Sequence, residues 1–238
     1  MTLFSAASRI ALNGSRASLW AKNFSVDSQA DQADVTVIED EWKRSAVTLQ
    51  SWSASISGIY EQAEFEYLKD EMQSVGYGNV LFAPAGWSAQ GDVCVLGEVT
   101  AASVSRETPR EDVVQASIDL QGHGSADFGV ILLPLTELSA SVLGTAFDGG
   151  AQTTNGAVLH LHFPLNTRNG STTVAVEHST SAASGYTPLG TFTVVNQNTV
   201  YGSQRLVVDG TVKRYVRVNV TVAGTEGATH CVVGIARR

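Results

Sequence analysis

The amino-acid sequence predicts a mainly β protein. Its first part is a β-sandwich or barrel with one α-helix and a long hairpin, and its second part is a small Ig-like or jelly-roll-like β-sandwich. Three observations predict this fold class. Apolar and polar residues alternate with period two along most of the 238-residue chain. Residues 61–75 have a helical period instead. Residues 148–156, rich in Gly and Thr, have the composition of a linker.

We therefore predict two domains, residues 1–147 and residues 157–238, joined by the linker 148–156. The length and the 43% hydrophobic content suffice for two modest cores. The charge changes at the same place: residues 1–147 contain 8 Lys and Arg and 19 Asp and Glu, a net of −11, whereas the rest carries +3. An acidic first domain argues against a protein that grips nucleic-acid phosphates, which requires clustered Lys and Arg.

The first elements are short strands, and a long acidic segment follows them. Residues 9–20 and 23–29 are predicted strands around the turn signal Asn13-Gly14. Residues 31–45 are predicted to be a long loop with a short extended piece, and a loop of this length in a compact domain usually has a function. Its candidate contact residues are Asp31, Asp34, Glu39, Asp40, Glu41 and Trp42.

A half-buried strand follows at residues 51–59, and an amphipathic helix follows it. Trp52, Ala54 and Ile56 point one way in this strand. Its opposite face is polar and uncharged, and consists of Ser51, Ser53, Ser55 and Ser57. In residues 61–75 the apolar residues fall on one helical stripe, with acidic residues in the first turns, where the helix dipole favours them.

Residues 92–105 and 112–121 are predicted to form the long hairpin, joined by a polar turn. The second of these strands alternates again, and its outer face carries Gln115, Ser117 and Asp119. Residues 128–133 form a further apolar strand, and residues 122–127 are expected to be a Gly-rich connection before it. In the second domain, six short strands are predicted within residues 157–236, the pattern of a small β-sandwich.

Several residue groups could carry chemistry, and each has a simpler interpretation. His123, Ser125 and Asp127 are crowded into the expected connection, whereas a hydrolytic triad converges from separate elements. His160 and His162 share a strand face and could chelate a metal, but no third ligand is evident, so we expect a buried or interface face. We predict no catalytic residue, no cofactor and no metal site, and the protein is not expected to be an enzyme.

The remaining composition features concern location. Cys94 and Cys231 lie in apolar runs, which predicts two buried free thiols. The start of the chain lacks the pattern of a secretory signal. The longest apolar run, residues 128–135, is too short to span a bilayer, so no membrane insertion is expected.

The order of these elements resembles the tail tube proteins of bacteriophages with long non-contractile tails. The segments that carry the resemblance are Arg9-Ile10-Ala11-Leu12-Asn13-Gly14, Ala33-Asp34-Val35-Thr36, Trp42-Lys43-Arg44 and Ser53-Ala54-Ser55-Ile56-Ser57-Gly58, followed by the helix and the hairpin. The second domain resembles the β-sandwich appendages of such proteins. The similar segments there are residues 176–179, 186–192 and 213–218.

The resemblance implies a structural virion protein that stacks as hexameric rings, with the genomic DNA passing through the resulting tube without tight binding. It implies a tape measure protein and tail terminator or tip proteins as further partners, and a place in the virion tail after assembly in the host cytoplasm. Because the polar strand faces lack positive charge, Ser51, Ser53, Ser55, Ser57, Gln115, Ser117 and Asp119 are the candidates for lining the lumen. Two alternatives stay open: a capsid decoration or other virion surface protein, and a carbohydrate-binding module in which Tyr186 or Tyr201 stacks on a sugar.

Overall fold

The computed structural model describes residues 8–17, 21–38, 41–60, 77–108 and 113–238. These residues form an all-β structure, and no α-helix occurs among them. The helix predicted at residues 61–75 lies outside the described residues. The strands are β1 (Arg9–Leu12), β2 (Ala21–Asp34), β3 (Ser45–Ile59), β4 (Gly78–Ala83), β5 (Val93–Glu107), β6 (Gln115–Leu138), β7 (Val142–Leu143), β8 (Phe147–Asp148), β9 (Ala157–Asn166), β10 (Ser171–Ser179), β11 (Thr187–Thr191), β12 (Val195–Asn196), β13 (Gly202–Val208), β14 (Tyr215–Ala223) and β15 (Thr229–Arg237).

The first half of the chain is a strongly curled antiparallel sheet with the order β2-β3-β6-β5-β4-β1. The curl brings β2, at one end of this order, close to β4, near the other end: the ring of Phe24 on β2 stacks on that of Phe82 on β4 with 5.3 Å between centroids. A hydrophobic core of buried side chains from β1, β3, β4, β5 and β6 fills the concave side. The side chains of the opposite, convex side are exposed or half-buried.

The predicted long hairpin is confirmed as β5 paired with β6, but β6 is longer than the sequence indicates. Residues 122–127, expected to be a connection, lie within this 24-residue strand. Gly122, His123 and Asp127 pair with Val99, Glu98 and Leu96 of β5, and residues 124–126 lie in an irregularity of the ladder between them. The prediction of a connection was therefore wrong, because pairing with a neighbouring strand outweighs the turn preference of a Gly-rich sequence.

The second half is a β-sandwich, as predicted. One layer consists of the C-terminal part of β6 with β15, β9 and β13; the other consists of β11, β10, β14 and the short β7, β8 and β12. Buried aliphatic side chains from both layers form its core, and a hydrogen-bonded group of Asn166, Thr172 and Thr229 is buried with them. The six strands predicted between residues 157 and 236 all occur, within a few residues of their predicted bounds.

Strand pairing crosses the expected boundary between the two domains. The C-terminal part of β6 pairs with β15, and β8 pairs with β14. The segment expected to be a linker is attached to the sandwich: Arg214 donates two hydrogen bonds to the Asp148 carboxylate at 2.8 and 2.7 Å, and Thr153 exchanges backbone hydrogen bonds with Val212. The division into a ring-forming domain and an appendage stays a prediction about function.

The nine-stranded sheet bends so far that β13, at one end of its order, returns beside β4. The space between these strands is filled by a third group of buried side chains, from β1, β4, β5, β6 and β15. Cys94 belongs to this group, and Cys231 belongs to the sandwich core. Both are free and buried, as predicted, and burial raises the pKa of each thiol to about 12.

Candidate functional site

The most distinctive surface is the convex face of the curled sheet, where β2, β3, β6 and β5 lie side by side. The strand register places its side chains in three rungs of four. We call this surface the serine face. Its rungs are Asp27-Ser53-Gln121-Thr100, Ser25-Ser55-Asp119-Ser103 and Asn23-Ser57-Ser117-Ser105. Seven of the twelve residues are serines and none is Lys or Arg, so the surface presents small, mostly neutral polar groups.

Asp119 lies in the middle rung, and two serines hold its carboxylate. The hydroxyl of Ser55 donates to one carboxylate oxygen at 2.9 Å, and the hydroxyl of Ser103 donates to the other at 2.6 Å. The bond from Ser103 and then that from Ser55 lower the pKa of Asp119. Asp119 therefore carries a fixed negative charge at neutral pH.

The neighbouring rungs are also linked across the strands. The hydroxyls of Ser105 and Ser117 lie 2.7 Å apart, and the amide of Gln121 donates to the backbone oxygen of Trp52 at 3.0 Å. These contacts occupy donors and acceptors within the sheet, and the short side chains leave the face without projecting groups. Such a surface offers a passing polyanion no ion pair.

The register places most of the residues predicted on the polar faces together. Ser53, Ser55, Ser57, Ser117 and Asp119 all belong to the three rungs. Gln115 lies one rung beyond, between Ile59 and Glu107, and Ser51 pairs with Gln29 where β6 no longer accompanies β3.

Sequence reasoning missed the rest of the serine face. The missed residues are Asn23, Ser25, Asp27, Thr100, Ser103, Ser105 and Gln121. The missed residues of β2 alternate strictly, but the sequence does not show that β2 lies beside β3. In β5 a bulge between Ala101 and Ser103 shifts which residues share a face.

A second surface is the projecting end of the β2–β3 hairpin, residues 29–51, which we call the hairpin arm. Asp31 and Asp34 were predicted in a loop, but both lie in β2, which pairs with β3 as far as Ser45. That part of the prediction was wrong, because the cross-strand partner at residues 45–50 supplies a ladder that acidic side chains alone would not favour. Glu39 and Asp40 lie outside the described residues.

The turn of the hairpin arm is held by Asp34 and Thr36. The Asp34 carboxylate accepts hydrogen bonds from the Thr36 backbone at 3.0 Å and from the Thr36 hydroxyl at 2.5 Å. The backbone nitrogen of Arg44 donates to that same hydroxyl at 2.9 Å, and Lys43 lies 3.5 Å from Asp34. The Asp-Val-Thr segment thus fixes the point where the arm turns back.

The hairpin arm exposes apolar side chains on both sides of this turn. Trp42 is 82% exposed and Leu49 is 76% exposed. The other exposed apolar residues of the arm are Val35, Val37, Ile38 and Val47. Glu41 is exposed beside them. An acidic arm with an exposed aromatic anchor is typical of a segment that packs against another chain.

The residues that could have suggested catalysis are not arranged as members of a hydrolytic triad that converge from separate elements. Ser125 and Asp127 lie on one strand with His123, and the Ser125 hydroxyl donates to Asp127 at 3.0 Å. The ring of His123 packs on Tyr77. Among the described residues, no group of three or more His, Cys, Asp or Glu side chains could hold a metal ion.

His160 and His162 are fully buried on β9, as the default interpretation expected, and no hydrogen-bond partner is found for any of their ring nitrogens in the described structure.

The two tyrosines proposed for sugar stacking differ from each other in exposure. The Arg217 guanidinium covers one face of Tyr186 at 3.7 Å from the ring centroid, while Tyr201 is 40% exposed. Within the described residues, no helix is long and apolar enough to cross a membrane.

Solved structures to which this chain is similar include virion and tail structures. A chain of the virion of a native gene transfer agent particle is 15% identical, with 53% of this chain and 98% of that chain covered and a TM-score of 0.44. The SPP1 tail tube is 12% identical over 52% of this chain and 77% of that chain, with a TM-score of 0.43. The Dit protein of SPP1, described as a hub of the adsorption apparatus, is 8% identical over 96% and 98%, with a TM-score of 0.37. No family model and no curated protein sequence matches the chain.

Proposed function

We propose that this chain is the tube-forming subunit of a long non-contractile phage tail, and that its serine face lines the lumen of stacked rings. The observation that carries the proposal is the serine face itself. Three rungs of short hydroxyl and amide side chains, with Asp27 and Asp119 and without a cation, suit a wall along which DNA must slide. Lys or Arg there would bind phosphates and release counterions, so the wall would hold the DNA.

Two further features support an assembled state. Among the described strands β2 pairs with β3 alone, so its other edge would be available to pair with a neighbouring subunit. The hairpin arm carries exposed apolar residues, and its candidate contacts are Asp31, Asp34, Glu39, Asp40, Glu41 and Trp42. Closing a ring would cover both surfaces, and by the resemblance the ring would contain six subunits.

In this proposal the protein has no catalytic role. Its main partner is itself, and the resemblance adds a tape measure protein and tail terminator or tip proteins. The genomic DNA passes through the tube and is not retained.

Negative-stain electron microscopy of the purified chain tests the proposal most directly. We expect hollow tubes with a regular axial repeat. A protein that stays monomeric at every concentration and salt condition tried would contradict it.

A second test addresses the lumen. In phage particles built with Ser53→Lys and Ser105→Lys, both on exposed positions of the serine face, we expect intact tails but slower genome ejection at low salt, relieved as salt screens the charges. The matched control places the same charges on exposed positions of the sandwich, Thr191→Lys and Thr221→Lys, and should eject normally. Equal ejection rates for both double variants would show that the serine face does not line the lumen.

One observation favours a second function for the sandwich half. A shallow pocket of about 400 Å³ is lined by Gly170, Ser171, Asn196, Gln197, Asn198 and Ala223. The buried Asn166 holds one of its walls by donating to the backbone oxygens of Asn196 and Thr199 at 2.9 Å each. The side-chain amides of Asn196, Gln197 and Asn198 in a turn held by Asn166 suit the hydroxyls of a neutral sugar. Binding of the purified chain to a glycan array, lost in Gln197→Ala with Asn198→Ala, would support this function, and an array without binding would oppose it.

A further inference from the structure

The curled sheet closes on itself where β13 meets β4. β13 pairs with β9 but forms no described strand ladder with β4, although it lies beside it. We call this junction the seam. Ser203 on β13 bridges it, accepting a hydrogen bond from the Asn79 amide at 3.0 Å and donating one to Asn13 at 2.9 Å. Arg205 on β13 faces Glu98 on β5 at 4.0 Å.

The seam also includes a close backbone approach. Gly14 has φ +91°, and a Cβ built on it would lie 2.4 Å from the backbone nitrogen of Gly202. The two segments can therefore approach this closely only because Gly14 has no side chain. Among the described residues no ladder of backbone hydrogen bonds joins β13 to β4, so we expect this junction to open more readily than the laddered strand pairs.

Directly behind the seam lie His160 and His162. In the β9–β13 register, His160 pairs with Arg205 and His162 with Ser203. Their ring centroids are 6.0 Å apart, both residues are fully buried, and none of their four ring nitrogens has a described hydrogen-bond partner. Unpaired buried imidazoles are tolerated only while they are neutral.

We propose that the seam is an acid-operated latch: it is closed while His160 and His162 are neutral, and protonation of the two histidines opens it and admits water to the interior. Among the described residues no strand ladder between β13 and β4 has to break for the seam to open, whereas the contacts of Ser203 and Arg205 and the approach of Gly14 to Gly202 must separate. Arg205 adds to the effect, since its charge lies next to His160 and repels a second positive charge there.

The direction of the pH dependence follows from the two imidazoles. Burial holds the pKa of His162 at about 3; burial, followed by the proximity of His162 and Arg205, holds the pKa of His160 well below its usual value. In the open form both should return to about 6.5. The closed form is therefore fully favoured above pH 6.5 and loses stability as the pH falls. With two protons taken up, the opening constant rises about 100-fold per pH unit below that value.

Other charged and titratable groups face this interior, and they must be separated from the effect. On the strand faces that enclose the two rings these are Arg9, Cys94, Glu98, His123, Asp127 and Arg205. The pH range alone does not separate these groups from His160 and His162. The variant His123→Gln does so for the third histidine, because it should keep the full pH dependence if only His160 and His162 operate the latch.

The two cysteines provide the readout. Cys94 is buried behind the seam, whereas Cys231 is buried in the sandwich core. Pulse labelling of the full chain with a dipyridyl disulfide, which reacts with thiols at acid pH, distinguishes opening of the seam from global unfolding. After correction for reagent reactivity, we expect the labelling rate of Cys94 to rise steeply from pH 6.5 to 5 while Cys231 stays protected.

Variants test which residues cause the pH dependence of Cys94 labelling. His160→Gln or His162→Gln should reduce the slope to about tenfold per pH unit, and the double variant should make it flat, whereas the control His230→Gln should keep the full slope. Ser203→Ala leaves the histidines intact and should speed Cys94 labelling at every pH without changing the slope. The latch is excluded if Cys94 labelling does not depend on pH, if both cysteines become labelled together, if the double histidine variant keeps the slope, or if Ser203→Ala has no effect.

Discussion

At the scale of single residues, the position of Trp52 depends on two glycines. Its indole packs over Gly97 and Gly122, and its Nε1 donates to the backbone oxygen of Gly124 at 3.0 Å. A Cβ on Gly122 would lie 2.2 Å from the ring. We expect Gly122→Ala to lower the free energy of unfolding by about 1–3 kcal/mol, as overpacking does, measured by urea denaturation. In a Trp52→Leu background the same change should cost less, and an equal cost in both backgrounds would mean that Trp52 is not the obstacle.

Which residues of the candidate site the sequence could predict also depends on single positions. Alternation with period two assigned Trp52 to the core and Ser53 and Ser55 to the outer face. It could not place Ser25 or Ser103, because membership of the serine face depends on which strand lies alongside and on bulges of one residue. Pairs distant in sequence, such as Ser55 with Asp119, have no local signal.

At the scale of elements, the hairpin arm is expected to act in assembly and not in folding. Trp42→Ala should leave the free energy of unfolding within about 0.5 kcal/mol, because the side chain is exposed, while raising the concentration needed for tube formation. Trp87→Ala is the matched control: this tryptophan is buried, so its loss should destabilise the fold itself. Equal losses of thermal stability in both variants would show that Trp42 packs within its own subunit.

At the scale of the whole molecule, the two halves should fold as one unit. The first half supplies the C-terminal part of β6 to the sandwich, and β15 of the second half covers it. A chain ending at Gly150 would expose Leu132, Leu133 and Leu138, so we expect it to aggregate.

The matched control keeps all strands but cuts the chain. A protease site inserted at Gly150, where no atom lies within 4 Å of a built Cβ, should allow cleavage while the two pieces remain associated. A soluble, folded 1–150 fragment would show that the halves are independent. The sequence indicated the change of charge and the Gly-rich segment correctly, but it gave no sign that strands pair across them, since that pairing is between residues about 100 positions apart.

The length of β6 has a mechanical consequence. With about 3.4 Å per residue, its 24 residues correspond to a contour of about 80 Å, one end of which lies in the serine face and the other in the sandwich. A force that pulls the sandwich half along the direction of β6 would load the β6–β15 and β5–β6 ladders in shear. Many backbone hydrogen bonds would then have to break at the same time. If the proposed tube forms with the serine face inside and the sandwich half outside, the two halves would be mechanically stiffly connected. Force applied to the sandwich half would then be transmitted to the wall of the lumen with little deformation.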